Sequence, residues 1–332
     1  MTAELTDAVV EVASPRLRLR PRRRRRPSPL SLVGLSVFAL VLLACLAAPL
    51  YAHLVAGTGP DANHLSDTIV VGGRPKTVVS DLGVPIGPTW HSKFLLGADG
   101  NGRDLAVRLL YGGRTTLLIG VVAALLTVGL GTILGALAGY HRGWVDGVIS
   151  RFLDMLWAYP VVLLGIALGT ALTLGGLKVG PLTIGGNSLV LPIGVIGIVY
   201  IPYVARPMRS QVLVLRETDF IRAAKVLGKR TTTILGTEVL PNVAPAMVVF
   251  MPLLVANAIL LEAGLSYLGA GVHPPSSSWG TMIAAGIQVL ITSPVQLFAP
   301  VVMLVATTVS LNFIGEGMRA STGAGALARP AT

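Results

Sequence analysis

The sequence predicts an all-α integral membrane protein with six transmembrane helices. Of its 332 residues, 53% are hydrophobic and only 12% are charged, whereas a soluble domain carries about 25% charged residues. Six apolar segments each come close to the roughly 20 helical residues that cross a bilayer core about 30 Å thick. This composition does not fit an ordinary soluble enzyme.

The first predicted span, residues 30–54, follows a strongly basic N-terminal tail. The first 26 residues contain eight arginines and three acids, and positive charge beside an apolar segment favours the cytoplasmic side. We therefore expect residues 1–29 to form a cytoplasmic tail that also contacts anionic lipid headgroups. The polar segment 56–109 is then expected on the outer side of the membrane.

Five further spans alternate in direction through the rest of the chain, so both termini are expected in the cytoplasm. The predicted bounds of these spans are 115–140, 152–174, 189–208, 243–265 and 297–315. Pro192 and Pro202 are expected to interrupt the fourth of the six spans. A short inner loop, 141–150, connects the second span to the third, and residues 266–296 form a second outer stretch. The remaining cytoplasmic parts are a loop, 209–242, and a tail, 319–332.

The formal net charge of +11 does not indicate nucleic-acid binding, because the basic residues are concentrated near the ends of spans. Besides the N-terminal tail, residues 206–230 contain seven basic groups against two acids. Arg206 and Arg209, at the inner end of the fourth span, are interpreted as positive-inside residues. The charge pattern thus marks which ends of the spans face the cytoplasm.

Sequence patterns for catalysis or for a resident cofactor are absent. The single cysteine, Cys45, excludes an intrachain disulfide and a cysteine-based zinc cluster. The chain has no Gly-rich phosphate loop ending in Gly-Lys-Ser/Thr. The run from Asp99 to Asp104 resembles the start of a calcium loop, but the alternating oxygen ligands fail at Arg103. We therefore expect no metal site, no bound cofactor and no enzymatic activity.

The cytoplasmic loop contains a predicted amphipathic helix over residues 217–228. Four apolar residues are predicted to share one helical face: Phe220, Ala223, Ala224 and Leu227. Glu217 and Asp219 lie near the N-terminal end, where the helix dipole favours anions. Gly228 ends this helix. Small side chains on an exposed helix suit a shallow contact with another protein.

A second short helix is predicted over residues 231–239, and Leu240-Pro241 then ends it and opens the fifth span. The spacing of Ala223-Ala224, Gly228 and Leu240-Pro241 resembles the EAA loop of ABC-importer permeases. In that family the loop is the coupling helix, which inserts into a groove on a cytoplasmic ATPase subunit. The resemblance assigns ATPase coupling to Glu217, Asp219, Phe220, Arg222, Ala223, Ala224, Leu227, Gly228, Leu240 and Pro241.

Two positions depart from the pattern of that family. Arg222 stands where the family has its opening acid, and Glu238 stands where an apolar residue or histidine is usual. The reversal of charge at Arg222 puts in doubt any salt bridge that the acid would make. The Ala-Ala-Gly spacing and the Leu-Pro pair are retained.

Further motifs narrow the resemblance to the dipeptide, oligopeptide and nickel permeases of the DppC/OppC type. Residues 96–104, LGADGNGRD, resemble the LGTDxxGRD motif of that group. The other matching stretches are 110–117 (LYGGRTTL), 138–146 (AGYHRGWVD), 158–160 (AYP), 262–269 (EAGLSYLG) and 274–280 (PPSSSWG). The match covers roughly residues 30 to 320 and implies the type I ABC-importer permease fold.

The resemblance also implies an assembly and a mode of action. A second, homologous permease would share the translocation path, and two cytoplasmic ATPases would use ATP and magnesium. An extracellular or periplasmic solute-binding protein would deliver the substrate. This multi-pass chain would then lie in the bacterial cytoplasmic membrane and move di- or oligopeptides by alternating access, without binding a cofactor or nucleic acid. Nickel or another small solute is the alternative substrate.

Five polar residues outside the coupling loop are candidate functional residues. Glu262 lies within the fifth span, near its outer end, and Asp154 lies near the inner end of the third span. Because a carboxylate in apolar surroundings is costly, both are candidates for a gate or for the translocation path. Asp99, Arg103 and Asp104 are expected to lock the outer loop by a salt bridge and are candidates for contact with the binding protein.

Two other classes of protein remain as alternatives. A secondary transporter driven by an ion gradient needs titratable groups within the membrane, and Glu262 is the candidate for one. A membrane-anchored structural or signalling protein is the second alternative, for which the EAA-like loop would be a coincidence.

Overall fold

The computed structural model describes residues 28–90, 93–179 and 182–322. The arginine run of the basic tail lies outside this part of the chain. The helices are α1 (Pro29–Leu46), α2 (Ala48–Tyr51), α3 (Leu105–His141), α4 (Gly143–Ala158), α5 (Val161–Gly175), α6 (Val190–Val199), α7 (Ile201–Leu215), α8 (Asp219–Val226), α9 (Thr231–Ile234), α10 (Leu240–Tyr267), α11 (Trp279–Gln288) and α12 (Val295–Thr322). Two antiparallel hairpins pair β1 (Thr68–Val71) with β2 (Arg74–Thr77) and β3 (Leu177–Val179) with β4 (Leu182–Ile184).

Four helical segments of the described chain are long and apolar enough to cross a membrane. They are Pro29–Leu46, Leu105–His141, Thr231–Tyr267 and Val295–Ala320. Two bent pairs, α4 with α5 and α6 with α7, are also long and apolar enough to cross a membrane when each pair is counted as one span. The number of spans is therefore up to six, and the predicted third and fourth spans correspond to the bent pairs.

Helix α1 packs along α12 through small residues. A Cβ atom placed on Gly34 would lie 2.7 Å from the carbonyl oxygen of Ser310, and one on Gly317 would lie 2.4 Å from Cβ of Ser31. Such close backbone approach is the usual basis of helix association in a bilayer. The N-terminal and C-terminal spans therefore form one tightly packed pair.

The second span begins ten residues earlier than the sequence predicted. Helix α3 starts at Leu105 because the Asp104 side chain caps it, accepting hydrogen bonds from the N–H groups of Ala106 and Val107. Its C-terminal half packs closely on α7: a Cβ on Gly135 would lie 2.5 Å from the carbonyl oxygen of Ala205. This long helix lies at the centre of the fold and contacts α7, α10 and α6.

The third span is broken, and the predicted inner loop 141–150 is largely helical. Helix α4 already begins at Gly143, and the chain then bends by 91° into α5. Tyr159 is extended at the break and precedes Pro160, and a residue before proline is disfavoured in the helical conformation. A continuous span over 152–174 is therefore wrong.

The fourth span is also interrupted and is longer than predicted. Helices α6 and α7 meet at Tyr200 with a bend of 41°, and Pro202 lies in the first turn of α7. Helix α7 continues to Leu215, seven residues beyond the predicted end at residue 208. The last turns of α7 therefore occupy residues that were predicted to belong to the loop 209–242.

The sequence predicted that Leu240-Pro241 ends a short helix, and this prediction was wrong. Helical backbone runs from Thr231 to Tyr267, with a π-helical turn over Leu235–Val239. Pro241 lies in the first turn of α10, directly after this turn. Because the wide turn spaces the backbone differently from an α-helix, the missing proline N–H does not interrupt the chain.

The regions predicted to lie outside the membrane are more ordered than simple loops. Val78, Phe94 and Ala98 form a small buried cluster beside the first hairpin. The predicted outer stretch 266–296 contains α11, which begins with a capping box between Ser278 and Thr281. At the other end, α12 continues through residue 322, so the predicted tail from residue 319 starts as helix.

Candidate coupling and translocation sites

Helix α8 presents an apolar surface away from the protein. Phe220 and Leu227 are 43% and 77% exposed, and Ala223 between them is also exposed. Ile221 and Ala224 are buried beneath the helix. Placing Ala224 on the same face as the other three was therefore wrong: at 100° per residue it lies between them and Ile221.

Glu217 connects α8 to the ends of α3 and α7. Its carboxylate lies 3.2 Å from Nη2 of Arg142, 3.3 Å from Nε of Arg216 and 3.7 Å from Nη2 of Arg222. Arg216 also donates a 2.6 Å hydrogen bond from Nη1 to the carbonyl oxygen of Tyr140, near the end of α3. One carboxylate among three arginines thus holds the start of α8 against the end of α3.

Both departures from the family pattern have partners of opposite charge. Arg222 lies near Glu217 and also 3.8 Å from Asp219. Lys229 Nζ donates a 2.8 Å hydrogen bond to Glu238, which joins the linker after α8 to the helical segment that becomes α10. Gly228, directly before Lys229, has a φ of +74°, a conformation that favours glycine.

Glu262 is fully buried at a junction of three elements. Its Oε1 accepts a 2.7 Å hydrogen bond from Ser266 on the same helix. The hydroxyls of Thr116 on α3 and Ser278 before α11 also lie beside the carboxyl group. Because its side chain has no exposed surface, Glu262 does not line an open path in this structure, and a role in gating stays a prediction.

The outer-loop candidates divide into two arrangements. Asp99 forms a 2.7 Å salt bridge with Nε of Arg103 and lies 3.4 Å from Nε of Arg108. Asp104 belongs to neither pair. It is fully buried, caps α3, and accepts a 2.7 Å hydrogen bond from the Phe94 N–H. Burial raises the pKa of Asp104 above its usual value, although the three backbone N–H groups lower it.

The expected role of Asp104 in contact with a binding protein is therefore wrong, because its side chain cannot reach another protein. Asp104 instead joins the start of α3 to the outer loop by hydrogen bonds to the backbone. Asp99 and Arg103 retain some exposed surface, so their contact with a binding protein stays a prediction.

Helices α4 and α7 are connected by two ion pairs. Asp154 Oδ1 lies 2.7 Å from Nη2 of Arg206, and Asp146 Oδ2 lies 2.6 Å from Nη2 of Arg209. The guanidinium of Arg206 also lies 3.9 Å from the ring centre of Trp157. The two arginines therefore have specific partners in addition to any part in membrane orientation.

More than half of the chain matches a known family of membrane transport proteins. Residues 131–321 match the family described as binding-protein-dependent transport system inner membrane component. The chain belongs to this family. It is the permease subunit of an ABC importer and a multi-pass membrane protein.

Three related proteins carry transport names. A putative peptide permease of Brucella ovis is 36% identical to this permease over 70% of this chain and 72% of that protein. The oligopeptide transport system permease OppC of Haemophilus influenzae is 36% identical over 70% of each chain. The glutathione transport system permease GsiD of Pectobacterium atrosepticum is 34% identical over 69% of this chain and 71% of that protein.

Among solved structures, the methionine ABC transporter MetNI in an inward facing conformation is similar in fold. The superposition has a TM-score of 0.51 at 19% identity and covers 64% of this permease and 96% of the matched chain. The predicted type I ABC-importer permease fold is thereby confirmed.

Sequence reasoning missed several residues that hold the permease together at these sites. Ile221 anchors α8, Arg142 and Arg216 surround Glu217, and Trp157 lies against Arg206. Arg206 and Arg209 were interpreted only as signals of membrane orientation. The acids Asp146 and Asp154 on α4 could have indicated that these arginines form ion pairs. In the described part of the chain, no group of three or more histidine, cysteine, aspartate or glutamate side chains is placed to hold a metal ion.

Proposed function

We propose that this permease imports di- or oligopeptides across the bacterial cytoplasmic membrane. The related proteins from Brucella ovis and Haemophilus influenzae are named peptide and oligopeptide permeases. The relative named for glutathione transport handles a tripeptide. Nickel or another small solute is the alternative substrate, and uptake of labelled peptides in competition with nickel distinguishes the two.

The proposed assembly has four kinds of component. This chain and a second, homologous permease form one translocation path, and two cytoplasmic ATPases bind ATP and magnesium. A solute-binding protein outside the membrane delivers the peptide. The permease itself performs no chemistry and binds no cofactor, and both of its termini lie in the cytoplasm.

The exposed face of α8 is the observation that supports the proposed docking of an ATPase subunit. Phe220, Ala223 and Leu227 leave apolar surface uncovered in the most basic part of the described chain. An amphipathic helix with anchors at this spacing is a common way for one protein to bind the groove of another. The groove of an ATPase subunit is the partner that the family resemblance implies.

The contacts around α8 explain how movement could reach the membrane. When ATP draws the two ATPases together, each coupling helix moves with its ATPase. Glu217 joins α8 to the end of α3 through Arg216, and Lys229 joins the linker to Glu238 ahead of α10. Movement of α8 would therefore tilt two central spans together and switch the path from inward-facing to outward-facing.

Copurification of the ATPases with matched variants tests the proposal. Leu227→Glu places a charge on the exposed face of α8, and Val70→Glu places the same charge on an exposed residue of the outer hairpin. We expect Leu227→Glu to lose the ATPases and ATP-driven uptake, while Val70→Glu retains both. Equal recovery of ATPases with the two variants would contradict docking through α8.

A further inference from the structure

The two broken spans meet at a cluster of aromatic residues. Trp157 lies at the end of α4, next to the 91° bend, and Tyr200 lies at the bend between α6 and α7. The ring centre of Tyr203 is 5.4 Å from that of Trp157 and 5.3 Å from that of Tyr200. Discontinuous helices in transporters tend to surround substrate sites. The surface where these two breaks meet is therefore a candidate for contact with substrate.

The ion pair of Asp154 and Arg206 extends the cluster. The Arg206 guanidinium stacks over the Trp157 ring at 3.9 Å and bonds Asp154 at 2.7 Å. The side chains of Asp154 and Arg206 are 61% and 39% exposed, and Trp157 and Tyr203 are each 41% exposed. Charged and aromatic groups therefore share one open surface.

This surface is poorly suited to contact with lipid tails. Arg206 lies within the bent pair of α6 and α7, six residues after the bend at Tyr200, which is about 9 Å along a helix. Charged side chains at membrane depth face a bundle interior or a water-filled cavity, because an exposed ion pair in hydrocarbon is costly. By contrast, the exposed positions of α12 from Phe298 to Val309, which include Val302, are apolar.

We propose that Trp157, Tyr203, Arg206 and Asp154 form a substrate-contacting wall of the translocation path. The chemical class of the ligand is a zwitterionic peptide, so this inference rests on the proposed function. Arg206 faces the terminal carboxylate, Asp154 faces the terminal ammonium, and the two rings contact side chains without strong selection. In the empty path each charged group satisfies the other.

The arrangement suits brief contact rather than tight binding. A peptide must exchange its charged ends against an existing 2.7 Å ion pair, so the net gain from binding is small. A transport path needs contacts that are favourable enough for entry and weak enough for exit. Aromatic faces accept many side chains, which fits a path for peptides of varied sequence.

Cysteine accessibility in the complete importer tests the wall directly. In a Cys45→Ala background that still transports, Tyr203→Cys is compared with Val302→Cys by reaction with a charged, water-soluble methanethiosulfonate. We expect at least about tenfold faster labelling at position 203, since only a water-lined position is reached readily. Equal or slower labelling at position 203, as expected for lipid contact or for burial against the second permease, would overturn the proposal.

Uptake of labelled trialanine through the binding protein tests the charged pair. We expect Arg206→Gln and Asp154→Asn each to slow uptake roughly tenfold, since each variant removes a hydrogen bond to a charged group. Arg151→Gln, at another exposed arginine of α4, serves as the matched control and should transport normally. Unchanged uptake in both pair variants would overturn the wall, whereas no peptide uptake by the unaltered importer would overturn the proposed function instead.

Discussion

Glu262 and Glu217 each connect several elements of the fold, but the surroundings of the two carboxylates differ. Glu262 is fully buried among hydroxyls from three elements, whereas Glu217 is half exposed and lies among three arginines. A buried acceptor is costly to lose because its donors are then left without partners. An exposed ion-pair cluster is weaker, since water and salt screen it. The packing of α10 against α3 and α11 therefore depends on a buried junction, while the position of α8 depends on contacts that tolerate movement.

Asp104 lies between these two cases. It is as buried as Glu262, but its partners are backbone N–H groups at the start of α3. Substitution of the three carboxylates thus tests the comparison, from the buried junction through the buried helix cap to the exposed ion-pair cluster.

The largest effect is expected for Glu262→Ala. This change leaves a cavity and removes the acceptor of the Ser266 hydroxyl, so we expect a loss of about 2–4 kcal/mol in the free energy of unfolding. Titration with a denaturing detergent measures this loss. Glu262→Gln, which keeps an oxygen acceptor, should lose clearly less, and equal stability of the alanine variant and the unaltered protein would contradict the junction.

A smaller loss is expected for Asp104→Ala. The cap of α3 and the bond to the Phe94 N–H disappear, which should destabilise the protein by about 1–2 kcal/mol. Asp104→Asn retains an oxygen that can cap the helix and serves as the control. Limited proteolysis measures the effect on the loop that precedes α3. We expect this loop to become sensitive to protease in the alanine variant but not in the asparagine variant. Identical digestion of both variants would contradict the role of Asp104 as a cap.

The smallest effect on stability is expected for Glu217→Gln. Exposed ion pairs contribute about 0–1 kcal/mol, so the unfolding midpoint should hardly change. Coupling should suffer more, since α8 would no longer be held to the end of α3 through Arg216. We expect ATP hydrolysis with reduced peptide uptake, measured in one proteoliposome preparation. A large fall in stability would show that the comparison with Glu262 is mistaken.

The fold class could be predicted because membrane spans leave a strong signal in a single sequence. Apolar length decides the first, second, fifth and sixth spans, whichever neighbours they pack against. The break at Tyr159-Pro160 was missed, since the apolar pattern continues across it. The interruption of the fourth span was predicted from its prolines, and Pro202 lies in the first turn after the bend at Tyr200. The proline at position 160 was nevertheless a usable signal, as was Asp104 directly before an apolar run.

The candidate sites were predicted less completely than the fold. The exposed positions of α8 follow from helical spacing, but Ile221 was left out of the pattern and Ala224 was placed on the wrong side. Ion pairs such as Asp154 with Arg206 join residues far apart in sequence, and no local pattern reports such pairing. Their positions depend on how α4 crosses α7, which only the three-dimensional arrangement shows.

The energy source of uptake tests the central claim most directly. Proteoliposomes that contain this permease, its partner permease, the ATPases and the binding protein are supplied either with ATP or with an ion gradient alone. We predict peptide uptake with ATP, no uptake with a proton or sodium gradient, and loss of the ATP-driven uptake in Leu227→Glu. Gradient-driven uptake without ATP, unaffected by Leu227→Glu, would contradict the assignment of this chain as an ATPase-coupled permease.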